Sequence, residues 1–233
     1  MSNPNLEMLR IAVKNLDYLN DELVFVGGCT TGLFITDKGA AEVRATKDVD
    51  TIVQATTYAE YMKFSEKLNL QGFQIDTRPD APLCRWTKNE IVLDVMPINK
   101  EILGFTNSWY QSSVENAIDF DILPERKIKI VSAPYFCATK IEAFEGRGNG
   151  DFITSHDLED LITVVDGRIE LADEIYESSP DLRNFIAGKF DLFLANRKFC
   201  DALPGYLYPD ESVQSRLEML IERLQKIAGF KNL

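Results

Sequence analysis

Residues 23–32 read LVFVGGCTTG, and residues 47–53 read KDVDTIV. In the first stretch an apolar run stops at Gly27-Gly28, the pattern of a short buried strand entering a glycine turn. In the second, Asp48 and Asp50 flank Val49 where a strand begins. A strand repeats every two residues, so both carboxylates share one face and Val49 takes the other. Further on, VLDVMP sets Asp94 among apolar neighbours. An acid in mid-strand is costly unless it is paired or binds a cation. If these strands adjoin, Asp48, Asp50 and Asp94 converge, and three hard oxygen donors suit Mg²⁺, which completes its shell with water and substrate phosphates. The turn fits the same chemistry. Gly27 and Gly28 let backbone N–H groups approach phosphates closely, and a helix opening near Thr30 and Thr31 adds its positive end. Taken singly, these pieces are surface acids, a satisfied buried carboxylate and a tight turn; their order along the chain gives them weight.

Around this centre, residues 5–20 show roughly helical spacing through Leu6, Leu9, Ile11, Leu16 and Leu19. Residues 36–47 are polar and break the pattern, and residues 57–69 suit an amphipathic helix. Residues 73–76, 83–87 and 91–97 are candidate strands, with a turn at Lys88-Asn89. Residues 101–126 fit no single period, and residues 128–131 are a further strand. Pro134 suits the first turn of a helix running to about Arg147. After the loop GNGDFITS the pattern is helical nearly to the end, with one stripe through Leu158, Leu161, Ile162 and Val165. The expected fold is α/β (α+β). A mixed sheet flanked by helices fills residues 1–133, and a mostly helical region, 134–233, packs on it and shares a cleft with it.

The chain has 233 residues, 45% of them hydrophobic and 27% charged, enough to bury a core without disulfide or metal staples. Acidic residues number 37 against 25 basic ones, a net charge of −12. That balance excludes broad, non-specific grip on a nucleic-acid backbone, though a local basic groove is compatible with it. His156 is the one histidine, which excludes multi-His metal sites, the two-His zinc protease helix and the Cys/His zinc deaminase site. Cys29, Cys84, Cys137 and Cys200 lie far apart, as reduced cysteines of a cytosolic protein do. No basic-then-apolar leader opens the sequence and no apolar run approaches membrane length, so a cytoplasmic protein without membrane contact is expected.

VFVGG, DVD and VLDV occur in the order that marks the nucleotidyltransferase superfamily of polymerase-beta-like fold, and the chain resembles it over about residues 23–165. More narrowly, RATKDVD resembles the segment leading into the acidic pair of AbiEii-type toxins, with Arg44, Thr46, Asp48 and Asp50 in its positions. Lys140, Ala143, Arg147 and HDLEDL follow as those toxins' helical motifs do. Two departures stand out. Nineteen residues separate Gly28 from Asp48, longer than is usual, with the extra length near DKGAAEV as a loop over the site; and Cys29 and Thr30 stand where many relatives carry serine. A phosphatase of the haloacid-dehalogenase type would place its DxD at a strand's end rather than its start, and DxD glycosyltransferases require neither the glycines nor the later acid.

The resemblance implies transfer of a nucleoside monophosphate from an NTP to an acceptor hydroxyl. Asp48, Asp50 and Asp94 would hold two Mg²⁺ ions (Mn²⁺ in their place), and Asp94 would help deprotonate the acceptor. Gly27, Gly28, Thr30, Thr31, Arg44, Thr46, Arg147 and Asp160 would serve the nucleotide, and Lys140 and Asp157 the reaction. Lys140 and Arg147 are seven apart and fall on one helix face. For Asp157 and Asp160 two readings stand: orienting Lys140, or favouring the positive end of their own helix. The implied acceptor is RNA, in particular a tRNA 3′ end, or a protein hydroxyl, with an antitoxin protein as partner. An antibiotic nucleotidyltransferase, whose cationic substrate would suit an acidic protein, is the alternative, followed by a nucleotide-binding module without turnover.

Overall fold

Leu9, Ala12, Val13 and Leu16 recur at helical spacing, and helix α1 (Pro4–Leu16) buries all four. Ile11 falls off that stripe and is half exposed. The computed structural model describes residues 4–207 and 213–231. The chain forms two compact units. One takes the chain through Gly32 and again from Ala45 to Ser132; the other takes Leu33 to Arg44 and what is described from Ala133 onward.

The first unit is built on one seven-stranded mixed sheet in the order β3-β4-β5-β2-β1-β7-β6. Its strands are β1 (Leu23–Val26), β2 (Val49–Val53), β3 (Gln74–Ile75), β4 (Arg85–Lys88), β5 (Ile91–Pro97), β6 (Ile118–Leu123) and β7 (Arg126–Ile130). β1 lies antiparallel to β2 and parallel to β7, while β2 lies parallel to β5. These central strands are near-continuous apolar runs, as strands covered on both faces must be. Helix α1 packs on β2 and β5. It ends at Leu16 rather than near residue 20, because Asp17 takes a positive φ of 52° and a 3₁₀ turn covers Asp17–Glu22. Helix α2 (Tyr58–Leu70) starts at a capping box: Thr57 accepts from the Glu60 N–H while the Glu60 carboxylate accepts from Thr57. The stretch without a clear period, 101–126, splits into the short helices α3 (Lys100–Leu103) and α4 (Tyr110–Glu115) and the edge strand β6.

The second unit is helical. Helix α5 (Ala133–Arg147) is buried on every side along its first nine residues, so it is the core helix of this unit. Around it pack α6 (His156–Gly167), α7 (Leu171–Glu177) and α8 (Pro180–Leu194), with α10 (Val213–Ala228) against α6, α7 and α8. Phe144, Phe152, Phe193 and Phe199 stack at 5.3–6.0 Å beside α9 (Arg197–Ala202). Residues 33–44, which hold most of the polar stretch 36–47, belong to this unit. The Thr36 and Asp37 N–H groups both donate to the Gly167 carbonyl, and Phe34 stacks on Phe136 at 4.9 Å. Among the described residues no helix is long and apolar enough to cross a membrane.

Candidate functional site

The sheet register builds a charged row. Arg85 on β4 stands opposite Asp94 on β5, Asp94 opposite Asp50 on β2, and Asp50 opposite Val26, the last residue of β1. Paired residues in neighbouring strands project to the same face. Arg85 closes a fork on Asp94, Nε to Oδ1 at 2.8 Å and Nη2 to Oδ2 at 2.7 Å. The same Nη2 donates to Asp48 Oδ2 at 2.8 Å. The other Asp48 oxygen accepts from the Thr46 hydroxyl at 2.9 Å, and Thr46 is itself anchored by its N–H to the Asn5 side chain. Hydrogen bonding to the Asp94 carboxylate raises the Arg85 guanidinium further above its already high ordinary value, so it stays charged. Asp94 is only 6% exposed, and the fork is what makes a charge there tolerable.

Asp50 is placed from the other side. Gly27 leaves β1 with φ +76°, and a Cβ built on it would lie 2.0 Å from Asp50 Oδ2. The Asp50 carboxylate therefore rests against the bare α-carbon of Gly27, which is why the strand must end in glycine. Beyond it the chain turns through a 3₁₀ segment, Gly28–Leu33, rather than the expected helix. Thr30 is fully buried, and both its N–H and its hydroxyl donate to the Gly27 carbonyl. The Thr31 hydroxyl is buried and has no hydrogen-bond partner among the described residues. Burial, then the negative charges of Asp94 and Asp50, push the neighbouring Cys84 thiol up to about 12. It is a neutral thiol at pH 7 and not a nucleophile.

The three acids fit a hard divalent cation in kind, being all-carboxylate and close in register. As they stand, the Arg85 guanidinium lies between Asp48 and Asp94. No group of three or more His, Cys, Asp or Glu side chains is gathered for a metal among the described residues. Arg85 is the residue that sequence reasoning missed. The signal was Asp94 itself, a mid-strand acid in need of a partner.

The second unit holds its own charged cluster. Lys140, on the buried helix α5, is 7% exposed and bridges Asp157 at 3.1 Å and Asp160 at 2.7 Å, one turn apart on α6. Arg147 forks onto Asp157 from Nε and Nη2 at 2.7 and 2.8 Å. Arg44 reaches Asp160 at 3.2 Å and Glu159 at 3.4 Å. Burial alone would raise the Asp157 carboxyl, but the Arg147 hydrogen bonds and the Lys140 charge outweigh it and hold Asp157 below the usual carboxylate range. Arg147 and Asp157 of this cluster also line a 390 Å³ cavity with Asn149, Thr154, Ser155 and His156. Asp157 and Asp160 both accept from Lys140, and Asp157 also sits in the first turn of α6. Of the candidate site residues, Gly27, Thr46, Asp48, Asp50 and Asp94 thus come together in one unit, and Arg44, Lys140, Arg147, Asp157 and Asp160 in the other.

No protein-family model and no curated protein sequence matches the chain. Among solved structures it is similar to JHP933 from Helicobacter pylori, at 14% identity and a TM-score of 0.50, over 98% of this chain and 94% of that one. It is also similar to an H. pylori protein provisionally described as a nucleotidyltransferase, at 12% identity and a TM-score of 0.46, over 97% and 92% of the two chains. At 14% identity the likeness to JHP933 establishes a shared fold.

Proposed function

We propose that this protein is a metal-dependent nucleotidyltransferase. It moves a nucleoside monophosphate from an NTP to an acceptor hydroxyl and releases pyrophosphate. One observation carries the reading: Asp50 and Asp94 stand directly opposite each other on parallel strands, with Gly27 packed against the Asp50 carboxylate. A glycine turn, a paired acid and a third acid on the adjoining strand form the donor set that such chemistry needs.

On this reading Asp48, Asp50 and Asp94 hold Mg²⁺, or Mn²⁺ in its place. An ion held there would supply positive charge beside the reacting phosphate and favour loss of the acceptor's proton. The Asp94 carboxylate accepts the proton of the acceptor hydroxyl as that oxygen attacks the α-phosphorus and the bond to pyrophosphate breaks. The turn at Gly27, Gly28, Thr30 and Thr31 receives the leaving phosphates, while Thr46 fixes the rotamer of Asp48. In the helical unit Lys140 and Asp157 are assigned to the reaction, and Arg44, Arg147 and Asp160 to the nucleotide, on the resemblance to AbiEii-type toxins. The same resemblance makes the acceptor an RNA, specifically a tRNA 3′ end, and the protein a cytoplasmic toxin held by an antitoxin protein. The net charge of −12 confines any RNA contact to a local patch.

The test is to incubate the protein with Mg²⁺, each α-labelled NTP in turn, and total bacterial RNA, beside an Asp50→Ala control. Label entering an RNA band, and lost in the control, is the expected result. Label on the protein, or on an added aminoglycoside, would retain the transferase and replace the acceptor. Label nowhere, with any acceptor, would overturn the reading.

A further inference from the structure

Three carboxylates crowd the row across β5 and β2 and the residue two before Asp50. Arg85 donates to both oxygens of Asp94 and to one of Asp48, and Thr46 takes the remaining Asp48 oxygen. All four oxygens of these two acids are therefore hydrogen-bonded. A divalent ion needs carboxylate oxygens at about 2.0–2.1 Å with their lone pairs turned to it. One guanidinium nitrogen, Nη2, bridges Asp48 Oδ2 and Asp94 Oδ2 at 2.8 and 2.7 Å.

We propose that Arg85 is an internal cation seated between Asp48 and Asp94, and that a divalent metal ion engages this carboxylate pair only by displacing it. This rests on the proposed metal-dependent function and adds a competing residue to it. The side chain is built for both states. Its fork matches a carboxylate plane, which holds the acids in place without metal. Yet the side chain is 21% exposed, against 8% for Asp94, so the guanidinium has a way out to water while the acid does not. Because arginine does not lose its charge at working pH, release comes from movement and not from deprotonation. Arg85 is in this sense a positioning residue: it sets where the carboxylates stand and how tightly they take a cation, without touching the reacting phosphate.

The experiment is direct binding of Mn²⁺, followed by electron paramagnetic resonance of the free ion, to full-length wild type and to Arg85→Gln. Circular dichroism and melting confirm that the variant folds. The variant is expected to bind Mn²⁺ at least about tenfold more tightly, since a unit positive charge is removed within a few ångströms of the ion. Equal or weaker binding by the variant, with wild type binding normally, overturns this proposal and leaves the proposed function standing. No binding by either protein overturns both. If the variant does not fold, wild type still decides the matter. Its Arg85 Nε–H resonance, assigned by its absence from Arg85→Lys, is expected to shift on Mg²⁺ titration as the bond to Asp94 opens. An unmoved resonance at saturating Mg²⁺ overturns the displacement.

Discussion

Arg85 and Asp94 face each other across β4 and β5 and share two hydrogen bonds, of 2.8 and 2.7 Å, over a carboxylate that is almost wholly buried. The pair turns a mid-strand acid from a liability into a fixed feature of the sheet. Its worth shows when one half is removed. Arg85→Ala strands the Asp94 charge and should cost about 3 kcal/mol of stability. Replacing both partners, as Arg85→Met with Asp94→Leu, should recover most of that loss, because no buried charge remains. Urea unfolding of Arg85→Ala, Arg85→Met, Asp94→Leu and the Arg85→Met/Asp94→Leu double variant measures the cost and the coupling. A double variant as unstable as Arg85→Ala would show that packing, and not the stranded charge, sets the cost.

Gly27 is required twice over, by its backbone angle and by the Asp50 carboxylate beside it. Gly27→Ala should therefore abolish nucleotidyl transfer, since the methyl group would displace Asp50. Gly104 separates the two effects. It too has a positive φ, of 83°, but nothing lies within 4 Å of its Cβ position. Gly104→Ala should cost about 1 kcal/mol from the left-handed backbone alone and leave transfer intact. Paired melting curves and label-transfer rates give the comparison; equal effects of the two substitutions would refute the role given to Gly27.

In the helical unit the pH dependence has a definite sign. The Asp157 carboxyl lies below its ordinary value in the folded protein. Its stabilising effect is thus fully present above the unfolded carboxyl value of about 4 and is lost as pH falls through the lower folded value. Asp157→Asn should be less stable than wild type at pH 7, and the gap should narrow as pH drops below about 4. Lys140→Met should cost on the order of 3 kcal/mol at pH 7 through the acids it leaves unbalanced. Denaturant midpoints across pH 3–7 test both. A constant gap for Asp157→Asn would mean that its carboxylate is not held by charge.

The strands around the acids were legible because each is a short apolar run with an acid set into it, the pattern of a strand covered on both faces. Residues 49–53 and 91–97 carry that pattern, and the two-residue repeat of a strand puts Asp48 and Asp50 on one face. Arg85 was not legible, and a single residue is the cause. The sequence suggests a turn at Lys88-Asn89, whereas the hairpin turns at Asn89-Glu90, with Asn89 at φ 53°. That pairs Lys88 with Ile91 and so Arg85 with Asp94; one residue earlier, every partner would shift by two. Strand β6 was missed although Ile118, Phe120 and Ile122 alternate with Asp119 and Asp121. It is an edge strand, where burial filters the pattern weakly. The expected helix at Thr30 is a 3₁₀ turn too short for periodicity to define. The polar stretch 36–47 carries no period that would place it, because its anchors lie far along the chain.

Those anchors give the last prediction. Arg216, on α10, forks onto the buried Asp166 at 2.6 and 2.9 Å and reaches Asp37 at 2.9 Å with its other nitrogen. Arg223 adds a longer contact to Asp37, 3.6 Å, and donates to the Asp166 carbonyl. Burial would raise the Asp37 carboxyl, but the Gly39 N–H and the Arg216 charge together hold it low. The polar segment is thus clasped to the helical unit by charge, with the Thr36 and Asp37 N–H groups on the Gly167 carbonyl beside it. Arg216→Ala removes the central cation of this clasp. Local opening should become at least about tenfold more frequent, which corresponds to ~1.4 kcal/mol. Trypsin should then cut at Lys38 and Arg44 correspondingly faster, while helix content by circular dichroism stays unchanged. Arg197→Ala is the control, since its contact to Asp201 is exposed on both sides and should change stability by less than about 0.5 kcal/mol. Cleavage at Lys38 that is no faster in Arg216→Ala than in Arg197→Ala would show that backbone bonds and Phe34 packing alone secure the segment.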